Sequence, residues 1–226
     1  YDDSQGFQLI TEVHERIKFY SKTGFDFATK KVKLYVGGSG TSEKMSSLKA
    51  TTFNIVNGKI EESKLSKKGV FKTELSKFYK ENKFTMPNVK EGSVVEFKYR
   101  VISPYITNVD EFALQEDIPI NRLEATFYAP EYYNFKLNVK GFLRATPTVS
   151  QKNKNITMRI RSTEQGRAIS NVSTEKVDFM ENRYLYDLNN VPALKEEPYV
   201  NNIDNYRSAV KYELSYTKFP NSPIKY

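Results

Sequence analysis

The chain has 226 residues, of which 38% are hydrophobic and 27% charged, and its formal net charge is +8. The 16 tyrosines and 15 phenylalanines can fill a sizeable core, so this composition excludes an intrinsically disordered chain. Cysteine is absent, which excludes a disulfide framework and a thiol nucleophile, and no apolar run approaches the ~18 residues of a membrane span.

Alternation of apolar and polar residues dominates the chain from its first strand onward. Between residues 7 and 19, apolar residues such as Leu9 and Val13 fall on one phase, and polar residues such as His14 fall on the other. Successive side chains of a strand point to opposite faces, so this pattern predicts a long half-buried strand. The same alternation predicts further strands at 32–36, 53–56, 93–101, 123–128, 135–140, 156–160, 182–188 and 212–216.

Turn signals separate these strands. Asn57-Gly58 is the strongest two-residue hairpin signal, Glu91-Gly92 precedes the strand at 93–101, and the polar stretch 151–155 predicts a hairpin tip. The segment 72–82 has apolar residues at helical spacing and predicts a short helix, although a strand with a bulge also fits. Strands separated by turns, without intervening amphipathic helices, favour an all-β fold, an antiparallel β-sandwich with at most one or two short helices.

The strand pattern continues with similar composition on both sides of a polar, proline-containing stretch at 141–151. We therefore expect a single sandwich module over residues 1–226, with 141–151 as the candidate internal boundary. Because a register slip of one residue would invert every face, the alternation also predicts burial residue by residue. The residues expected inside are Phe97, Tyr99, Leu137 and Val139, and those expected outside are Lys98, Lys136 and Lys140.

The sequence offers few residues that could carry out catalysis. A serine–histidine–aspartate arrangement would have to use His14, the single histidine, whose position on the polar phase is that of an ordinary exposed side chain. Without cysteine, a zinc site would rest almost wholly on carboxylates. The sequence therefore predicts no catalytic residue, no metal site and no cofactor.

Two local motifs invite a functional interpretation. In Gly37-Gly38-Ser39-Gly40, three residues separate the last glycine from Lys44, whereas a phosphate-binding loop needs lysine directly after it, so an ordinary hairpin loop is favoured. The adjacent carboxylates Glu116-Asp117 and Glu196-Glu197 would point to opposite faces of an extended chain. Neither pair is then suited to flank a glycosidic bond.

The positive charge permits nucleic acid, anionic polysaccharide or an acidic protein as a partner. The lysines are dispersed over the polar phases of the strands, and no basic block of the kind found in binding tails is present. This distribution favours a solvated surface and predicts no nucleic-acid partner.

Five segments in order carry a family resemblance: residues 84–99 (FTMPNVKEGSVVEFKY), 103–105 (SPY), 115–120 (QEDIPI), 128–131 (YAPE) and 190–199 (NVPALKEEPY). The chain resembles the domain of unknown function 3857 family, an all-β domain that precedes transglutaminase-like domains in exported proteins of Bacteroidetes-type bacteria. The resemblance extends from about residue 9 to residue 212. Phe112 stands where the family is expected to have tryptophan, which is a conservative departure.

The resemblance implies a β-sandwich, a periplasmic, cell-surface or secreted location, and a papain-like Cys-His-Asp domain downstream in the same polypeptide. That domain is not in this chain. The implied role is a non-catalytic accessory module of a transglutaminase-like protein, which positions or shields the downstream domain. A different interpretation is a carbohydrate- or cell-surface-binding module that uses exposed tyrosines.

The sequence of residues 189–199 predicts that this segment is an extended arm. Pro192 and Pro198 remove two backbone donors, so the arm cannot form a full central strand. Val191 and Tyr199 give it apolar anchors that favour packing against a surface. The arm is then either an internal strap or a contact with the following domain, for which Pro198 and Tyr199 are the candidate residues.

Overall fold

A computed structural model describes residues 6–38, 41–163, 170–195, 200–219 and 222–226. Throughout these ranges the fold is all-β, and every strand pairing is antiparallel. The helical segments of the described residues are 3-10 turns at Lys22–Ala28, Lys67–Gly69 and Ile203–Asn205. The all-β, antiparallel prediction is confirmed.

The strands fall into two compact units, Asp2–Ile106 and Thr107–Tyr226. The amino-terminal unit contains β1 Leu9–Lys18, β2 Thr29–Tyr35, β3 Lys44–Val56, β4 Lys59–Lys64, β5 Val70–Ser76, β6 Tyr79–Thr85 and β7 Val94–Ser103. The carboxyl-terminal unit contains β8 Phe112–Ala113, β9 Ile120–Pro130, β10 Tyr133–Lys140, β11 Thr148–Thr163, β12 Ser170–Val191 and β13 Ala209–Thr217. The stretch 141–151 lies within the second unit, and the single-module assignment stays a prediction.

The amino-terminal unit is a sandwich of two sheets, with strand orders β1-β7-β3-β4 and β2-β6-β5. Aromatic rings fill the space between them, and the ring of Phe84 on β6 lies 5.7 Å from that of Phe97 and 6.4 Å from that of Tyr99 on β7. All three are at least nine-tenths buried, whereas Lys98 is exposed. The faces predicted for this strand are confirmed.

The central strand β7 pairs with β1 along one edge and with β3 along the other. The turn before it is held by Ser93, which is fully buried. The Ser93 hydroxyl accepts a hydrogen bond from the Lys90 N–H at 2.8 Å and donates one to the side-chain oxygen of Asn54 on β3. Gly92 has a φ of +87°, which favours glycine. This network gives the segment 84–99 a structural role, since it fixes where β7 begins.

The carboxyl-terminal unit also pairs two sheets across an aromatic core, with strand orders β10-β13-β8 and β11-β12-β9. The Phe127 ring of β9 stacks on Tyr212 of β13 at 4.2 Å and meets Phe135 of β10 at 5.0 Å. The hydroxyls of Tyr186 and Tyr212 lie 3.0 Å apart in the interior. Burial raises the pKa of both tyrosines, so both remain neutral hydrogen-bonding groups.

The helix predicted at 72–82 is wrong. The segment forms the β5–β6 hairpin instead, and the register shifts between Glu74 and Ser76, as the alternative of a strand with a bulge requires. The Phe78 N–H donates to the Ser76 hydroxyl at 3.2 Å in the turn. Because β6 also pairs with β2, the ladder of a three-stranded sheet outweighs the helical spacing of the apolar residues.

Two further predictions need correction. The prediction that Val139 is buried is wrong. This side chain is 55% exposed, because β10 is an edge strand of its described sheet. Leu137 and Lys140 on the same strand are half-buried, and Lys136 is exposed. The polar stretch 151–155 is not a hairpin tip but part of β11, which runs from Thr148 to Thr163. As an edge strand of its sheet, β11 tolerates polar residues on both faces.

The Asn57-Gly58 hairpin prediction is confirmed. Both residues have positive φ, at 50° and 76°, and they join β3 to β4. Positive φ at both central positions is the requirement of a type I′ turn.

Replacing Phe97 with alanine should destabilise the amino-terminal unit by about 3–5 kcal/mol, because a buried ring would be exchanged for a cavity. The measurement is urea unfolding of the purified chain. Phe71→Ala is the matched control, since Phe71 is 62% exposed and its loss should change stability by no more than about 0.5 kcal/mol. Equal effects of the two substitutions would contradict the assigned core.

Candidate functional site

Arg207 gathers three carboxylates in the carboxyl-terminal unit. Its guanidinium lies 2.8 Å from Asp117 Oδ1, 2.8 Å from Asp204 Oδ1 and 3.5 Å from Glu116 Oε2. The expectation that Glu116 and Asp117 point to opposite sides is therefore wrong. They lie in the bend between β8 and β9, not in an extended strand, so both reach the same cation.

The same position binds the described part of the predicted arm. The Gln115 side-chain amide donates to the Pro192 carbonyl at 3.1 Å, and the Leu194 N–H donates to the Glu116 carbonyl at 2.8 Å. Arg207 donates to the Gln115 carbonyl at 3.2 Å. The bend at 115–117 thus contacts Arg207 on one side and the described part of the arm on the other, an arrangement that we call the Arg207 junction.

The electrostatics of the junction keep Arg207 charged. Its side chain is only 16% exposed, and burial opposes the charged form. The hydrogen bonds that Arg207 donates to Asp204 and Asp117 outweigh that effect and raise the pKa of Arg207 above its ordinary value. A cation held by carboxylates from separate loops fastens those loops together.

An exposed aromatic pair includes Tyr206, the residue directly before Arg207 in the sequence. The rings of Phe142 and Tyr206 are nearly parallel, with an interplanar angle of 10° and centroids 6.3 Å apart. They are 83% and 44% exposed. Behind them, the Ser208 hydroxyl accepts a hydrogen bond from the Leu143 N–H at 3.0 Å, and a side chain at Gly141 would come within 2.5 Å of the Ser208 backbone. The backbone beneath the rings is therefore closely packed.

His14 lies on the outward face of β1 and does not form a catalytic triad. Its Nε2 lies 2.8 Å from Glu96 Oε1, and Arg16 donates to Glu96 Oε2 at 2.6 Å. These hydrogen bonds, from Arg16 first and then His14, lower the pKa of the Glu96 carboxyl below its ordinary value. The arrangement is a surface ion-pair network across neighbouring strands.

The remaining sequence motifs find structural explanations or lie outside the described residues. The Gly37 N–H donates to the Thr41 carbonyl at 2.7 Å, and a Cβ at Gly37 would lie 1.7 Å from the Tyr105 hydroxyl, so close packing requires glycine there. Ser39 and Gly40 lie outside the described residues. So do Glu196 and Glu197, together with both candidate contact residues, Pro198 and Tyr199.

The described ranges hold neither a metal-binding cluster nor a membrane-spanning helix. No group of three or more His, Cys, Asp or Glu side chains in them is arranged to hold a metal ion. Over the same part of the chain, no helix has the length and apolar character to cross a membrane.

Sequence reasoning missed Arg207 and the aromatic pair. Arg207 stands 90 positions from Asp117, so no local spacing signals their contact. Phe142 gave a weak sign of an exposed aromatic site. It directly follows a glycine in a polar stretch, where the pattern predicts no strand for its ring to pack against. Tyr206 offered none.

Comparison with known proteins gives two findings. The sequence model of a family described as "Domain of Unknown Function with solved-structure structure (DUF3857)" matches residues 11–167. No curated protein matches the sequence. The chain is similar to the crystal structure of a "putative protease" from Parabacteroides distasonis, with a TM-score of 0.60 and 12% identity, over 94% of this chain and 38% of that chain. That likeness is one of fold, and this chain spans well under two thirds of the other's length.

The depressed pKa of Glu96 predicts a pH dependence of stability. A lowered folded-state pKa contributes stability above the ordinary value of 4.5, and this contribution is lost as the pH falls through the folded-state pKa. Glu96→Gln should therefore lose less stability than the wild type between about pH 5 and pH 3, measured by urea unfolding at each pH. Glu62→Gln, on the exposed strand β4, is the control, and an unchanged acid slope in Glu96→Gln would contradict the network.

Proposed function

This chain belongs to the DUF3857 family, and from that premise we propose that it is a non-catalytic accessory module of a longer, exported polypeptide, which positions or shields a transglutaminase-like domain that follows it. In this proposal the arm at 189–199 packs on the sandwich and presents Pro198 and Tyr199 towards that neighbour, and the location is periplasmic, cell-surface or secreted. The resemblance of the sequence motifs supports both the neighbour and the location.

The Arg207 junction is the observation that carries the proposal. A free linker would leave its backbone to solvent, but Pro192 and Leu194 are hydrogen-bonded to the bend that Arg207 holds. Val191, where the arm leaves β12, is 2% exposed. Fastening the arm in this way fixes the surface that it offers to a following domain. The solved structure with the similar fold supports the same reasoning, because there the fold accounts for 38% of a longer chain.

The described residues also support a non-catalytic role. The single histidine is engaged with Glu96, and the adjacent carboxylates Glu116 and Asp117 are engaged with Arg207. These groups stabilise loops and strands, which is the use most ion pairs have in a scaffold.

The isolated chain should show no turnover in amidase, peptidase and glycosidase assays with chromogenic substrates. His14→Ala and Asp117→Asn serve as the diagnostic variants. Activity that the wild type shows and either variant abolishes would overturn the accessory role.

The contact with the following domain is tested in the full-length protein. Tyr199→Ala should loosen that contact and accelerate limited proteolysis between the domains several-fold, with little change in the melting of the isolated module. Tyr20→Ala is the matched control, because Tyr20 is 85% exposed in the amino-terminal unit. Unchanged proteolysis in Tyr199→Ala would favour the alternative that the arm is an internal strap.

A second candidate function is a carbohydrate- or cell-surface-binding module, and the Phe142–Tyr206 pair favours it. Two parallel, solvent-exposed aromatic rings above a closely packed backbone can stack against the apolar face of a sugar ring. Binding of the chain on a glycan array should be lost in Phe142→Ala and kept in Tyr20→Ala. Absence of binding in the wild type would remove this candidate and leave the accessory role untouched.

A further inference from the structure

The strand β5 presents an open edge in the amino-terminal unit. It pairs with β6 on one side, and no described strand pairs with its other side. The side chains from Phe71 to Ser76 are all exposed, with Phe71 at 62% and Leu75 at 50%. The strand contains no proline, and the irregularity in its pairing with β6 lies at its end, between Glu74 and Ser76. An edge of this kind is a template on which a further strand can pair.

The sequence of β5 is complementary to itself. Antiparallel pairing of two copies about Thr73 places Phe71 opposite Leu75 of the second copy. The same register places Lys72 opposite Glu74 of the second copy. Because the two-fold axis repeats each contact, the pairing brings together two apolar pairs, two pairs of opposite charge and one threonine pair. Pairs of these kinds stabilise an antiparallel ladder.

The edge strands β2 and β4 of the same unit have the opposite property. Pairing of β2 with a second copy about its central residue, Val32, places Lys31 opposite Lys33. Pairing of β4 about Glu61, about Glu62 or between them places a glutamate opposite a glutamate. Like charges directly opposite each other destabilise a ladder. Of these three edges, β5 is therefore the one whose charges favour a second copy of the chain.

The charged residues of β5 are available for this contact. Lys72 has no ion-pair partner among the described residues. Glu74 lies 3.3 Å from Lys80, but its side chain is 78% exposed and can accept a second cation. A second copy would therefore supply Lys72 with a carboxylate that its own chain does not provide.

We propose that two copies of this chain associate through β5, which joins their β2-β6-β5 sheets into one antiparallel sheet of six strands. The contact is isologous, so it closes as a dimer and does not propagate into a fibre. Main-chain hydrogen bonds supply the affinity, as in other cases of strand addition, and the charge pairs fix the register. A contact of one strand from each copy is small, which predicts a weak and concentration-dependent dimer.

Sedimentation equilibrium of the chain tests the association. Between about 10 μM and about 1 mM, the apparent mass should rise from that of one chain towards that of two. Over the same range, the NMR signals of the backbone amides should shift most at residues 71–75. A mass of one chain at every concentration, or shifts that leave β5 unchanged, would overturn the proposal.

A charge exchange tests the register. Lys72→Glu alone and Glu74→Lys alone should each weaken dimerisation at least tenfold, because each places like charges opposite one another twice in the dimer. A mixture of these two variants should associate again as a heterodimer, since every glutamate then lies opposite a lysine. This recovery would also show that both variants are folded.

Lys83→Glu is the matched control, because it reverses an exposed lysine on the neighbouring strand β6 and leaves the edge of β5 unchanged. It should dimerise like the wild type. Equal weakening by Lys83→Glu and Lys72→Glu would show a diffuse charge effect and reject the β5 contact. A mixture of the two β5 variants that stays monomeric would reject it as well.

Discussion

The buried hydrogen bond between Ser93 and Asn54 is the constraint on which the amino-terminal unit depends. It joins the turn before β7 to the neighbouring strand β3, and so sets the residue at which β7 enters the sheet. Since β7 pairs on both sides, its starting residue determines the register of β1 and β3 together. The inward positions of Phe97 and Tyr99 follow from that register, and with them the ring contacts to Phe84 that hold the second sheet.

The features that the sequence predicts correctly are local ones. Period-two alternation and the Asn57-Gly58 turn depend on the residues themselves, and the structure has them where the pattern places them. The errors occur where a neighbour decides the outcome. The segment 72–82 becomes a hairpin because β2 continues the sheet beyond β6, and Val139 is exposed on β10, which lies at the edge of its described sheet. Arg207 was missed for the same reason, since its three carboxylates arrive from distant or unpatterned loops.

The two units use their buried polar side chains in different ways. In the carboxyl-terminal unit, Arg207 fastens the bend at 115–117, and the arm is hydrogen-bonded to that bend. In the amino-terminal unit, the buried Ser93 hydroxyl donates to the Asn54 side chain and sets where β7 begins. A charged side chain thus fastens a loop in one unit, whereas a neutral hydrogen bond sets the start of a strand in the other.

The pairing of β1 with β7 affects how the protein folds during its synthesis on the ribosome. Leu9 lies opposite Ser103, so β1 finds its neighbour in the described sheet after almost the whole unit has been translated. At the ~5–20 residues per second of cellular synthesis, β1 waits on the order of 5–20 seconds with both edges unpaired. Its regular alternation of charged and apolar side chains keeps that waiting strand solvated on one face, which lowers the hazard of association with other nascent chains.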